Sequence, residues 1–334
     1  MADTHRIVIV TPVFDDWEAL ALLLRAVDKS LSTIQVQAHV LVVDDGSFTP
    51  MPASLGNGLS AAIEAVDVLH LRRNLGHQRA IAVGLVYIHE HLPGQPVLIM
   101  DSDGEDRPED LPRLIAAFRE TPEQIVFAAR RKRLESFVFR VFYRLYCLLH
   151  LMLTGIRVEV GNFSIVPSAA LERLAVASEL WSHYAAAVFR ARIPFRTIPA
   201  DRGRRLAGRS KMRFASLVAH GLSAISVFGD VVSVRLLVSA ALFIAAAFGL
   251  IVTGAVLRFT GTFRLPDGAL WLMTALAVVC TQAVIMAFVM AFVVHHARAN
   301  ATFIPERDAP AFVKLRERIY PRELYLYRRK AGAL

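Results

Sequence analysis

For its first two hundred residues the chain alternates short apolar runs with amphipathic stretches, and it then becomes apolar over two long segments. Arg6-Ile7-Val8-Ile9-Val10-Thr11-Pro12-Val13-Phe14 is a near-continuous apolar run, as in a strand covered on both faces of a parallel sheet. Asp15-Asp16 suits a helix start, and Trp17, Leu20, Leu23, Leu24 and Val27 then recur at helical spacing, which predicts a helix to about Ser30. Residues 38–43 predict a second strand, ending in Asp44-Asp45-Gly46-Ser47. Residues 67–71 predict a third, followed by a helix from Gly76-His77-Gln78-Arg79 to about His91. A fourth strand, Val97-Leu98-Ile99-Met100, stops in Asp101-Ser102-Asp103-Gly104-Glu105-Asp106. Pro108 then sits in the first turn of a helix over residues 107–120, and residues 124–129 predict a fifth strand ending at Arg130. Strand and helix alternating at this spacing predict an α/β fold, a mostly parallel, Rossmann-like sheet with right-handed crossovers. Ligands of such sheets bind at the carboxyl ends of the strands, where Asp15/Asp16, Asp44/Asp45, Asp101/Asp103 and Arg130 all fall.

The later segments follow a different pattern. Residues 236–257 and 269–294 contain no charged residue, and each is long enough to cross a hydrocarbon core of ~30 Å. They predict a transmembrane hairpin with a short connector. Residues 134–153 are apolar nearly all round but carry Arg140 and Arg144 one turn apart, which fits a helix lying in the membrane interface better than one spanning it. Residues 211–230 place Phe214, Leu217, Val218, Leu222, Ile225 and Phe228 on one side at helical spacing, a second interfacial candidate. Soluble core packing is the competing reading of both. Met1 to Arg6 leads directly into a β-like segment, without a signal-peptide pattern.

Charge gives the hairpin a direction. Basic residues cluster at 202–213, before the hairpin, and at 314–330, after it, while the connector holds only Arg258 and Arg264. The positive-inside bias therefore places the N-terminal domain and both termini in the cytoplasm, with the protein integral to the cytoplasmic membrane. The net charge of +9 on 334 residues reads as affinity for anionic lipid and phosphate, not for nucleic acid. Cys147 and Cys280 both lie in apolar helical stretches, so neither a disulfide framework nor a zinc site is indicated.

Several functional classes are excluded by context. The acidic cluster after the fourth strand is not an EF-hand, because Asp106 and Pro112 stand where the loop needs Gly and Glu. Gly56-Asn57-Gly58-Leu59-Ser60-Ala61 matches the dinucleotide fingerprint by letter but follows Pro50-Met51-Pro52, not a strand. No Walker-type loop is present. What stays open is a set of closely spaced carboxylates at a strand end, which suits one hard divalent cation, Mg²⁺ or Mn²⁺.

The segments Thr11-Pro12-Val13-Phe14-Asp15-Asp16, Val43-Asp44-Asp45-Gly46-Ser47, Arg73-Asn74-Leu75-Gly76, Met100-Asp101-Ser102-Asp103-Gly104-Glu105-Asp106-Arg107-Pro108-Glu109 and Arg205-Leu206-Ala207-Gly208-Arg209-Ser210-Lys211 occur in this order. Together they resemble the family 2 glycosyltransferases of GT-A fold, and among these the polyprenyl-phosphate glycosyltransferases. The resemblance implies that Pro12, Asp16, Asp45 and Asp101 line the donor nucleotide pocket. It implies further that Asp101, Asp103 and Glu105 hold the metal, Glu105 standing where the family usually has Gln. Arg130 and Arg140 fall where the family places phosphate-binding arginines. Arg205, Ser210 and Lys211 match its diphosphate-closing segment, with Asp103, Arg205 and Lys211 the catalytic set and Ser210 a phosphate contact. The chain departs from the family at Gly161-Asn162-Phe163-Ser164, where Asp-Phe-Arg is common, and at Asp15, where Asn is usual. Trp181 does not reproduce the Gln-x-x-Arg-Trp signature of processive synthases.

The expected function is inverting, metal-dependent transfer of one sugar from a nucleotide-diphosphate sugar to a polyprenyl phosphate, a lipid acceptor. The alternatives are a membrane glycosyltransferase with a hydroxyl acceptor and a non-catalytic nucleotide-binding scaffold. The expected layout is a nucleotide-sugar transferase domain over 1–210 with an interfacial helix at 134–153, and a juxtamembrane helix over 211–231. Transmembrane helices over 232–257 and 269–296 are joined by a loop at 258–268, and a tail occupies 297–334. The resemblance also points to a homo-oligomer. His77, His150, His183 and His220 are scattered along the chain and suggest no ligand set.

Overall fold

In the computed structural model the described residues are 5–59, 62–130, 137–157, 160–208, 214–260, 267–299 and 303–321. They form two compact units. The first comprises residues up to 136, 159–227 and 303 onwards, and the second comprises 137–158 and 228–302.

The first unit is built on one eight-stranded sheet. Along the chain its elements are β1 (Arg6–Val13), α1 (Trp17–Ser32), β2 (Gln37–Asp44), β3 (Ile63–Leu71), α2 (His77–His91), β4 (Val97–Ile99), α3 (Leu111–Glu120) and β5 (Ile125–Arg130). The second unit's α4 (Phe137–Thr154) intervenes. The first unit then continues with β6 (Ser164–Val166), α5 (Ser168–Ala175), α6 (Tyr184–Arg190), β7 (Phe195–Ala200) and α7 (Phe214–Ser226). After α8 (Gly229–Phe259) and α9 (Asp267–Ala299) of the second unit, β8 (Val313–Tyr320) closes the list. The strand order is β7-β5-β6-β4-β1-β2-β3-β8. β3, β2, β1 and β4 pair in parallel, as the strand–helix alternation predicts. Two strands run the other way: β6, between β4 and β5, and β8, on the edge beside β3.

Alternation along β1 shows how the sheet is covered. Ile7 and Ile9 face a layer with Leu20, Leu23, Leu24, Leu114 and Phe118 from α1 and α3. Val8 and Val10 face the opposite layer, with Ile81, Leu85 and Ile88 of α2, Leu171 of α5 and Tyr184 of α6. Strands covered on both faces need apolar residues at every position, and this is why the central strands read as unbroken runs. Gly84 lets α2 lie close on the sheet, since a Cβ there would stand 2.5 Å from Val10 and 2.8 Å from Val43 side-chain atoms.

β8 is held by charge. Asp67 of β3 is 1% exposed and accepts hydrogen bonds from Arg316 (2.7 Å) and Arg318 (2.6 Å) of β8, with His39 Nε2 of β2 2.6 Å away. Burial pushes its carboxyl up, but the hydrogen bonds from His39, Arg318 and Arg316 outweigh burial and hold it below the usual carboxylate range.

In the second unit α8 and α9 pack against each other, and α4 packs on α8. Arg235 of α8 donates to the Met152 carbonyl (3.0 Å) near the end of α4. Residues Gly229–Phe259 and Trp271–Val293 are each long and apolar enough to cross a membrane, and few of their residues are buried. On α4, Phe142, Leu145, Leu148 and Met152 are more than half exposed.

Candidate functional site

The carboxyl ends of β1, β2 and β4 bring three of the expected polar clusters into one crevice. At the end of β4 the backbone turns through Gly104, whose φ of +82° suits glycine. A Cβ at that position would also strike the Leu206 side chain at 2.4 Å. Asp101 N–H donates to Asp106 Oδ2 (2.9 Å) and Glu105 N–H to Asp103 Oδ1 (2.9 Å), so the loop is shaped by its own carboxylates.

The segment after β7 zips onto this loop by backbone. Gly203 N–H donates to the Glu105 carbonyl (2.8 Å) and Leu206 N–H to the Asp103 carbonyl (2.9 Å). Side chains follow the same pairing. Arg205 donates through Nη1 to Asp103 Oδ2 at 2.9 Å and through Nη2 to Asp16 Oδ2, joining the β1 and β4 ends. Arg202 grips Glu105 in a two-point fork, Nε to Oε2 at 2.9 Å and Nη2 to Oε1 at 2.8 Å. Asp101 meets His77 Nε2 at 3.1 Å. All three expected metal ligands thus have a cationic or imidazole partner from the chain itself.

Charge crowding is visible in the ionisation of the loop. Asp103 is pushed above the usual carboxylate range, first by burial and then by the charges of Asp101 and Glu105, against the pull of the Glu105 N–H and Arg205. Burial pushes the His77 imidazole down, but Asp101 and the further charges of Asp106 and Asp103 prevail and raise it.

Gly203 has no room for a side chain. A Cβ there would lie 2.4 Å from the Gly104 carbonyl oxygen and 2.9 Å from Arg107 Cγ. Gly203→Ala is therefore expected to lift the 202–206 segment off the acidic loop at a cost of about 1–2 kcal/mol, roughly tenfold in the closed population. Limited trypsin digestion should then cleave at Arg202, Arg204 and Arg205 about ten times faster. Unchanged cleavage would show that the segment is not held by this contact.

The other expected residues are placed as follows. Pro12 lies in β1 beside Val43. Asp45 is 3% exposed, and its two carboxylate oxygens accept from Leu75 N–H (2.6 Å) and Gly76 N–H (2.9 Å), so it anchors the turn that opens α2. Asp15 (φ +49°) accepts from Thr49 N–H and Oγ1, and Ser47 Oγ accepts from Asp15 N–H, tying the β1 and β2 loops. Arg130 ends β5, and Arg140 lies in α4, within the second unit. Ser210 and Lys211 lie outside the described residues.

Four residues emerge that sequence reasoning did not assign to the site. Arg202 is the partner of Glu105, and its place two residues before Arg204-Arg205 was the available signal. His77 is brought to Asp101 because it opens α2 immediately after Gly76, whose φ is +92°. Asn162 and Gln78 complete a hydrogen-bonded group with it. The His183 and His220 rings, far apart in sequence, lie 4.7 Å apart. Burial, and secondarily the charge of His77, lower the His220 imidazole.

Residues 8–173 match the family described as glycosyl transferase family 2. Undecaprenyl-phosphate 4-deoxy-4-formamido-L-arabinose transferase of Klebsiella pneumoniae subsp. pneumoniae is 31% identical over 135 residues, 40% of this chain and 39% of the relative. The protein of the same name from Proteus mirabilis is 30% identical over 132 residues, again 40% and 39%. The match thus spans about two fifths of the relatives' length. Among solved structures, glucosyl-3-phosphoglycerate synthase from Mycobacterium tuberculosis in complex with uridine-diphosphate has a TM-score of 0.46 at 16% identity, covering 68% of this chain and 80% of that one. Mannosyl-3-phosphoglycerate synthase from Rubrobacter xylanophilus has a TM-score of 0.46 at 14% identity, covering 78% of each.

Proposed function

Since the chain belongs to glycosyl transferase family 2 through residues 8–173 and is a glycosyltransferase, we propose that it moves a single sugar from a nucleotide-diphosphate sugar to a polyprenyl phosphate at a membrane. The observation that carries this reading is the acidic loop at Asp101, Asp103 and Glu105 closed by Arg202 and Arg205, in a chain with two helices apolar enough to span a bilayer. The relatives' name, undecaprenyl-phosphate 4-deoxy-4-formamido-L-arabinose transferase, supports the lipid phosphate as acceptor.

The donor set fits a divalent cation in its chemistry: three carboxylates offer hard oxygens, and burial, with the charges of Asp101 and Glu105, raises Asp103. Among the described residues no three acidic, histidine or cysteine side chains converge as a ligand group in this arrangement. Asp101, Asp103 and Glu105 would hold Mg²⁺ or Mn²⁺ once His77, Arg205 and Arg202 yield their oxygens. When bound, the cation supplies positive charge for a diphosphate leaving group.

The residues of the chain perform the rest. Arg205 and Arg202 are released toward the diphosphate oxygens, where preorganised guanidinium groups stabilise the charge that grows as the glycosidic bond breaks. Pro12, Asp16 and the Asp45-anchored turn shape the nucleotide side. Lys211 and Ser210 extend the same basic segment, and Arg130 and Arg140 serve the acceptor phosphate. A lipid phosphate is largely ionised at pH 7 and needs no strong general base, so attack from the face opposite the leaving group inverts the anomeric centre.

The second unit supplies the membrane. An apolar exposed surface on α8 and α9 of this length suits a hydrocarbon environment. The exposed apolar face of α4 lies in the interface, and basic clusters on both sides of the hairpin keep the catalytic domain and both termini cytoplasmic. The proposed layout is a donor domain over 1–210 and a hairpin over 232–257 and 269–296; the segment after the hairpin, expected as a tail over 297–334, instead returns to the sheet through β8, and α4, expected within the donor domain, belongs to the second unit.

Purified protein incubated with Mn²⁺, radiolabelled nucleotide sugars and undecaprenyl or dolichyl phosphate is expected to yield a labelled, acid-labile glycolipid. No labelled lipid from any donor would refute the reading. Arg205→Ala should lower kcat/KM for the donor about 100-fold, as loss of one preorganised donor does elsewhere. An unchanged kcat/KM would remove Arg205 from the machinery.

A further inference from the structure

We propose that His220 of α7 hydrogen-bonds the phosphate of the lipid acceptor; the inference rests on the polyprenyl-phosphate reading above. Imidazoles from three helices gather beside the acidic loop. His77 opens α2, and its Nε2 lies 3.1 Å from Asp101 Oδ1. His183 caps the start of α6, its Nδ1 accepting from Ala186 N–H at 3.4 Å. The next residue, Tyr184, donates through its backbone N–H to Gln78 Oε1 at 2.8 Å, which holds His183 beside the start of α2. The His220 ring lies 4.7 Å from the His183 ring and is tilted 40° to it. Both His77 and Asp101 act on the His220 imidazole by charge, so all three rings share one polar neighbourhood with the loop.

These rings occupy the flank of the loop opposite the nucleotide side. Pro12, Asp16 and Asp45 stand in or just after β1 and β2, whereas β6 borders β4 on the side away from β1. Asn162, two residues before β6, lies 3.0 Å from His77 Nε2, which puts the imidazoles on the β6 flank. Inversion needs the attacking oxygen opposite the leaving group, so a diphosphate on one flank of Asp101 calls for the acceptor on the other. Chain order agrees. α7 ends at Ser226, and α8, apolar enough to span a bilayer, opens at Gly229. A lipid phosphate stays at the headgroup level of the membrane, and α7 leads along the chain directly into the first membrane helix.

Local structure accounts for His183, through its helix cap, but not for His220. The His220 ring is partly buried and makes no hydrogen bond to another described residue. A polar group drawn out of water without a partner costs free energy, which a ligand's hydrogen bond would recover. Burial, then the charge of His77, hold the imidazole below its usual range against the pull of Asp101, so it is neutral at pH 7. A neutral imidazole has one N–H to give. It donates to one phosphate oxygen without passing a proton to the oxygen that attacks, as an imidazolium would tend to do. The His183 ring restricts its turning, so the N–H is oriented before the acceptor arrives.

The test uses full-length protein in detergent micelles, titrated by calorimetry with three probes against protein-free micelles. The probes are farnesyl phosphate, farnesol, and UDP with Mn²⁺. His220→Ala is expected to weaken farnesyl phosphate about tenfold, the scale of one hydrogen bond to a charged group, and to leave farnesol and UDP unchanged. Should alanine impair folding, His220→Phe keeps a ring against His183 but cannot hydrogen-bond, and the same loss is expected of it. His220→Asn and His220→Gln carry an amide N–H near the Nδ1 and Nε2 positions, and one of the two should recover most of the affinity. The proposal is overturned if farnesyl phosphate binds the alanine and phenylalanine variants as it binds wild type. It is overturned equally if farnesol or UDP weakens to the same extent, or if neither amide variant recovers binding. Wild-type protein that binds UDP but not farnesyl phosphate would instead overturn the lipid-phosphate reading, and the role of His220 with it.

Discussion

Asp103→Ala is expected to abolish sugar transfer while the protein stays folded and inserted in the membrane. Asp103 is bonded to Arg205 and stands between two further carboxylates, so its removal takes away both an oxygen ligand and the anchor of the closing segment. Loss of a ligand that helps neutralise a diphosphate leaving group costs on the order of 4 kcal/mol of transition-state stabilisation, about a thousandfold in rate. Stability should move little. Asp103 is raised by burial and by like charge, so the folded state gains nothing from its ionisation, and alanine relieves that repulsion. Glycolipid formation with labelled donor, beside a thermal melt, checks both halves. A variant that retains a tenth or more of the wild-type rate would place the chemistry elsewhere.

Asp67→Asn is expected to have the opposite signature: a large loss of stability with the site intact. Asp67 is almost completely buried and joins His39 of β2 to Arg316 and Arg318 of β8. Removing one member of a buried ion pair costs about 3–5 kcal/mol. Here the arginines are 30–39% exposed and can turn to water, so about 2–3 kcal/mol is the expected loss. The pH dependence has a definite sign. The folded-state pKa is depressed, so this stabilisation is present above the ordinary carboxylate range and is lost as pH falls below it toward the folded value. Wild type should therefore lose several degrees of melting temperature between pH 6 and pH 3 that Asp67→Asn lacks from the start. Equal melting curves for the two proteins at pH 7 would show that β8 is held by its backbone ladder alone.

These two carboxylates differ in how far the sequence revealed them. Asp103 is legible because a strand that stops in alternate carboxylates, followed by a proline-initiated helix, is a local pattern. Asp67 reads as one polar residue inside an apolar strand, and its arginine partners lie 249 and 251 positions away, in a stretch whose basic composition reads as a tail. β8 does alternate, Val313, Leu315 and Ile319 against Lys314, Arg316 and Arg318, but Glu317 interrupts the apolar side and half of its positions are charged, so a short edge strand after the hairpin reads as a basic tail. The reversal of β6 is similarly silent. A strand of three buried residues, Ser164–Val166, has the same apolar look in either direction, and direction is set by pairing with β4 and β5.

By itself the sequence determined the α/β class, the central parallel strands, the carboxyl-end placement of Asp16, Asp101 and Asp103, and the two long apolar segments. All of these follow from local periodicity, in which side-chain spacing and burial are coupled within a few residues. Only the tertiary structure decided which cation meets which carboxylate: Arg205 with Asp16 and Asp103, Arg202 with Glu105, and His77 with Asp101. It also joined Asn162, Gln78 and Tyr184 into one hydrogen-bonded group with His77. Hydrogen bonds and ion pairs depend on donor and acceptor positions to within a few tenths of an ångström. Chain segments as distant as β4 and residues 202–206 acquire that precision only when the sheet and the helices on both its faces are packed.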